Sequence, residues 1–262
     1  MNRLLTILLL GLLPIAASAQ DNDDARTKGL HIAQEIQDRN TGWGDSKALM
    51  QMVLFNRRGD RSERELHLRS LEIDGDGDKS LTVFDQPRDI KGTALLSFSH
   101  SVEPDQQWLY LPALKRVKRI SSANKSGPFM GSEFAFEDLS SFEVEKYQYE
   151  YLRDETINEL DCFVVNYYPN YEHSGYSYQQ VWIDKSEYRV QKIDFYDRKK
   201  SLLKTLEFSD YEQYLDKYWR ATSMRMSNRQ TGKITELTWR DYEFSVGLSD
   251  ADFNPNSLKR AR

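Results

Sequence analysis

The chain has 262 residues, 39% hydrophobic and 12% aromatic, with 41 acids against 36 Lys and Arg and a formal charge of −5. A chain of this length buries about 70% of its unfolded surface and needs no second domain. The interspersed acids and bases weigh against general nucleic-acid binding, and the single cysteine, Cys162, excludes an internal disulfide.

Residues 1–19 read as a secretory signal peptide. Arg3 is the positive start, Leu4 to Ile15 is an apolar run too short to span a bilayer, and Ala17-Ser18-Ala19 is a small-x-small cleavage pattern. Cleavage after Ala19 leaves residues 20–262 as one domain in the periplasm. It removes Arg3 and no acid, so the mature charge is −6. No later stretch is apolar enough to cross a membrane.

Asp21 to Asp24 read as an acidic helix start, with Asp23 or Asp24 as the cap. Ala25, Gly29, Ile32, Ala33 and Ile36 follow at helical spacing, and Asn40-Thr41-Gly42 ends the helix. From Ala48 the period becomes two. Strands are predicted from Ala48 to Phe55, Arg64 to Ile73, Leu81 to Phe84, Thr93 to Phe98, Gln107 to Leu111 and Val117 to Ile120. Seven more are predicted from Phe142 to Leu152, Cys162 to Tyr168, Tyr178 to Ile183, Val190 to Tyr196, Leu202 to Phe208, Tyr218 to Met226 and Ile234 to Trp239. The polar turns between them are short, which requires antiparallel neighbours. So many long antiparallel strands must curl into a barrel or half-barrel to hide their edges.

Residues 121–140 do not read as strand. Phe129, Met130, Phe134 and Phe136 make disorder a poor account of them. A plug or lid over the mouth of the curled sheet is one reading, and a short helix packed on the core is the other.

Few residues carry a chemical signature. Asp74, Asp76 and Asp78 alternate as in a calcium loop, with Asp85 at the twelfth position. Lys79 stands where the sharp turn needs glycine and Asp85 where a bidentate Glu is needed, so a polar hairpin turn is the better reading. His31, His67, His100 and His173 have no zinc-type spacing. No nucleophile elbow or phosphate-cradling loop occurs, so the chain does not read as an enzyme and implies no cofactor or metal. Lys115, Arg116, Lys118 and Arg119 form a basic cluster. It reads either as a strand edge made repellent by charge or as a contact for a lipid headgroup or a partner.

Several stretches resemble the LolA-like outer-membrane lipoprotein-sorting superfamily, in its uncharacterised exported branch. They are the segment from Leu109 to Ile120, Gly127-Pro128-Phe129-Met130-Gly131-Ser132 with Phe136-Glu137-Asp138-Leu139 after it, Val181-Trp182-Ile183-Asp184-Lys185 leading to Phe195-Tyr196-Asp197, and the ending Asp252-Phe253-Asn254-Pro255. The resemblance implies a mainly β fold, a strongly curved, open antiparallel barrel of LolA/LolB type with helices on the concave side. It also implies a carrier or chaperone for a lipid or lipoprotein acyl chain, and an inner-membrane RND-type lipid transporter as a partner. The alternative is an envelope interaction protein, a stress sensor or an accessory subunit of such a transporter. An acyl chain needs only apolar walls, at about 0.8 kcal/mol per buried CH₂. The candidate walls or lid are Trp108, Tyr110, Phe129, Met130, Phe134, Phe136, Trp182 and Phe195.

Overall fold

A computed structural model describes residues 17–260; most of the leader read at residues 1–19 lies outside the described residues. One helix, α1 (Ala17–Arg39), precedes thirteen strands among the described residues. The first six are β1 (Asp45–Phe55), β2 (Arg61–Leu71), β3 (Lys79–Gln86), β4 (Ala94–Phe98), β5 (Gln106–Leu111) and β6 (Arg116–Ile120). After a long connection come β7 (Tyr147–Ile157), β8 (Leu160–Pro169), β9 (Tyr176–Asp184), β10 (Val190–Asp197), β11 (Leu202–Tyr214), β12 (Tyr218–Asn228) and β13 (Ile234–Phe244). Each matches a strand expected from the period-two pattern. The ends differ: β7 begins at Tyr147 rather than Phe142, because Val144–Lys146 closes a 3-10 turn first. The expected cap at Asp23 or Asp24 is corrected as well, since both lie inside α1.

All thirteen strands form one antiparallel sheet in the order β6-β5-β4-β3-β2-β1-β13-β12-β11-β10-β9-β8-β7. Two meanders, β1–β6 and β7–β13, are joined where the first strand pairs with the last, with Met50 opposite Trp239 and Met52 opposite Leu237. β6 and β7 remain as free edges, so the curl does not close.

Alternation sorts the side chains between two faces. On the concave face, Met50, Met52, Leu66, Phe84, Leu95, Leu109, Leu206, Met226 and Leu237 form the main apolar cluster. On the convex face, Leu81, Val83, Ala94 and Leu96 are covered by Phe253 and Leu258 of the C-terminal turns. Helix α1 lays Ile32, Ala33 and Ile36 on Tyr149, Val165, Val181 and Ile183, at the β7 end of the concave face. Its last carbonyls are capped by Asn40 Nδ2 on Ile36 and Thr41 Oγ1 on Gln37, both at 2.9 Å. Gly42 and Gly44 then turn the chain into β1 with positive φ, and their N–H groups donate to the Glu72 carboxylate at 2.6 and 2.7 Å.

Gly29 sets how closely α1 approaches the sheet. A Cβ there would lie 2.9 Å from the Tyr151 amide nitrogen and 3.1 Å from that of Glu150. In a free helix, Gly29→Ala would stabilise by about 1 kcal/mol. Here the methyl group forces helix and strand apart, and the expected outcome is a net loss of about 1–3 kcal/mol in urea unfolding.

Candidate functional site: a plugged hollow on the concave face

The sheet encloses a hollow of about 1680 Å³. Leu68, Leu95, Ile193, Phe195, Leu206, Phe208 and Met224 supply its apolar wall, and Tyr147, Tyr167, Tyr176 and Tyr211 add aromatic surface. These residues come from β2, β4 and β7–β12. They converge because each occupies the inward phase of its strand: Leu206 stands opposite both Ile193 and Met226, and Phe208 opposite Met224. The hollow is larger than the roughly 300–1,000 Å³ of an ordinary small-molecule pocket. It reaches a rim formed by the turns at residues 72–78, 99–105, 185–189 and 215–217.

The connection between β6 and β7 crosses the opposite end and plugs it. Its tip, Met130-Gly131, turns with positive φ at both residues. Phe129 is 1% exposed, with ring centroids 5.7 Å from those of Phe84 and Phe136. Phe134 is buried and lines the hollow. Residues 121–140 thus pack on the concave core through Phe129 and Phe134, at the end away from the open rim rather than over the mouth, with 3-10 turns at Ser122–Asn124 and Phe136–Leu139 in place of an α-helix.

Polar anchors hold the plug. Lys204 Nζ donates to the Asp138 carboxylate at 2.6 Å and to the Glu133 carbonyl at 2.9 Å, and both side chains of the ion pair are 5% exposed. Asp138 also accepts from Ala135 N–H and from the Tyr176 hydroxyl, each at 2.7 Å. Arg64 reaches the Met130 carbonyl at 2.7 Å, and Asn228 donates to the Glu133 carboxylate at 2.6 Å. Glu137 takes Gly175 N–H and the hydroxyls of Ser174 and Tyr171. Burial and the neighbouring Asp138 raise the pKa of Glu137 despite those donors.

The expected wall residues divide between the faces. Phe129, Met130, Phe134, Phe136 and Phe195 meet in or against the concave cluster, and Phe134 and Phe195 border the hollow itself. Trp108, Tyr110 and Trp182 do not. Register places Trp108 and Tyr110 on the convex face with Leu81 and Leu96, and Trp182 there with Cys162 and Val164. Bulk suggests a wall, but strand phase decides which side a ring takes. Leu68, Leu206, Phe208, Met224 and the Lys204–Asp138 anchor were missed; their only signal is position within strands whose partners the sequence does not name. Lys115, Arg116, Lys118 and Arg119 are exposed at or beside the edge strand β6.

The calcium-like acids do not converge. Asp76 accepts from Ser101 N–H at 2.8 Å and bonds His100 Nδ1 at 2.7 Å, while Asp85 bonds His67 Nδ1 at 2.8 Å. Asp78 stands at the open rim near Glu143 and Glu72. Burial, then those two carboxylates, push its pKa up to about 7, with Arg220 and the Ile73 backbone opposing.

A family model described as an uncharacterized protein matches residues 76–260. No curated protein matches the chain. Among solved structures, a domain from Vibrio parahaemolyticus assigned by name to outer membrane lipoprotein sorting is 61% identical over 90% of this chain and 100% of its own, with a TM-score of 0.88. A DUF1329 family protein from Desulfovibrio piger is 32% identical over 89% of this chain and 99% of its own, at a TM-score of 0.84. A LolA superfamily protein from Nitrosomonas europaea shares the fold at 19% identity and a TM-score of 0.70, over 86% of this chain and 97% of its own. The chain belongs to the LolA-like outer membrane lipoprotein-sorting superfamily and to the DUF1329 family.

Two outcomes test the site. Lys204→Met leaves Asp138 buried without its cation, and breaking such a pair costs about 3–5 kcal/mol. Limited proteolysis is expected to cut residues 121–142 much faster in this variant than in the wild type. Asp78 has a raised folded pKa, so the native state holds more protons than the unfolded chain between about pH 4 and pH 7, and this group's contribution falls as pH rises through that window. Asp78→Asn is therefore expected to raise the Tm at pH 8, with the gain shrinking as pH falls toward 4.

Proposed function

We propose that the protein is a periplasmic carrier or chaperone that shelters the acyl part of a lipid or lipoprotein in its concave hollow. The observation that carries this reading is a large hollow with an apolar inner wall, built from inward residues of the sheet, below a charged rim, and left unfilled by the plug. An acyl chain entering it gains about 0.8 kcal/mol per buried CH₂ and needs no directional partner. The rim of Asp and Glu suits a polar head left in water. The leader at residues 1–19 supports delivery to the periplasm, where a diffusing carrier is useful. The name of the Vibrio relative supports the same class of cargo.

Native mass spectrometry of protein purified from the periplasm is the direct test. Copurified lipid, or uptake of a fatty-acyl probe in vitro, is expected. Protein that emerges empty and takes up nothing overturns the reading. Met224→Glu puts a charge on the wall beside Phe208 and is expected to lower acyl-probe affinity at least ~10-fold, because an unpaired charge resists burial. Its unfolding midpoint serves as the control for folding.

A further inference from the structure

Antiparallel strands send alternate turns to opposite rims of the sheet. Six turns, at residues 56–60, 87–93, 112–115, 170–175, 198–201 and 229–233, lie at the rim that the plug closes; together they hold ten Lys and Arg against three acids. The five at the other rim, 72–78, 99–105, 158–159, 185–189 and 215–217, hold nine acids against three bases. Charges that alternate along the sequence are thus segregated in space. Strands of five to thirteen residues separate the rims by about 17–44 Å. The screening length at physiological salt is about 8 Å, so neither rim cancels the other's field.

We propose that the basic, plugged rim is a docking face for an anionic lipid bilayer, with the mouth of the hollow turned away from it. Arg58, Lys115, Lys199 and Lys233 are exposed there, and none is ion-paired among the described residues. The turn at 112–115 also presents Leu114, 62% exposed, beside Arg116 on the free edge strand. An apolar tip within a basic ring suits the headgroup region, where each nearby Lys or Arg strengthens binding. Val102 and Leu215 are exposed on the opposite rim, but its acids are repelled by an anionic surface. The inference rests on the rim's charge and on exposed Leu114, and holds whatever occupies the hollow.

Vesicle flotation tests it, using equimolar phosphatidylglycerol and phosphatidylcholine against phosphatidylcholine alone, at low and high salt. Wild-type protein is expected to float with the anionic vesicles at low salt and to stay down with the neutral ones and at high salt. Arg58→Glu, Lys115→Glu, Lys199→Glu and Lys233→Glu together abolish flotation; the matching Gln set weakens binding about fivefold per side chain. Thermal unfolding checks that both sets fold. Equal flotation with both vesicle types, salt-independent flotation, no flotation at all, or undiminished flotation of the Glu set overturns the proposal. Acyl-probe uptake is measured separately, so an empty hollow is told apart from a rim that does not dock.

Discussion

A thirteen-strand antiparallel sheet that curls without closing must find cover for its concave face from somewhere else in the chain. The strand order leaves β6 and β7 unpaired, so hydrogen bonding alone cannot seal the interior. The apolar residues that face inward are numerous because nearly every strand contributes alternate positions. Helix α1 covers the β7 end, and the segment between β6 and β7 fills the opposite rim. What they leave uncovered is the hollow. Its existence follows from a mismatch between the inner surface of the sheet and the amount of chain available to cover it.

The two covers are held differently. Helix α1 meets the sheet largely through apolar contact, with Gly29 setting the distance. The plug is tied by charge and hydrogen bonds, of which the Asp138–Lys204 pair is the most deeply buried. A buried ion pair adds little net stability, but losing one partner is costly, which fixes a single geometry for the connection. That fixity places Phe129, Phe134 and Phe136 as permanent floor. The open rim, by contrast, concentrates carboxylates around Asp78. The result is a cup with a charged lip, a greasy wall and an anchored base.

The proposed role calls for no catalytic constellation. Sheltering hydrocarbon requires area and exclusion of water, which Leu, Met, Phe and Tyr provide without any defined constellation. The polar residues that do cluster serve architecture. His67 and His100 each bond an Asp, and the acids spaced like a calcium loop are divided among separate partners. Distribution of charge between the rims is then the feature with the longest reach, since it acts beyond contact distance.

By itself the sequence determined the thirteen strands, the helix that precedes them, the short antiparallel turns and the curl, because period and turn chemistry are local properties; that the segment between β6 and β7 forms no second α-helix was decided by the tertiary structure. It also marked Phe129, Phe134 and Phe136 as ordered within a segment that is not strand. Which side of the sheet a given ring takes was decided only by register: Phe195 and Trp182 look alike in sequence, yet one borders the hollow and the other packs outside with Cys162. The partnership of Lys204 with Asp138, 66 residues apart, is equally invisible to any local pattern. The sorting of turn charges lay in the sequence all along, but it became meaningful only once alternate turns were brought to opposite rims, because an electric field depends on where charges stand and not on their order in the chain.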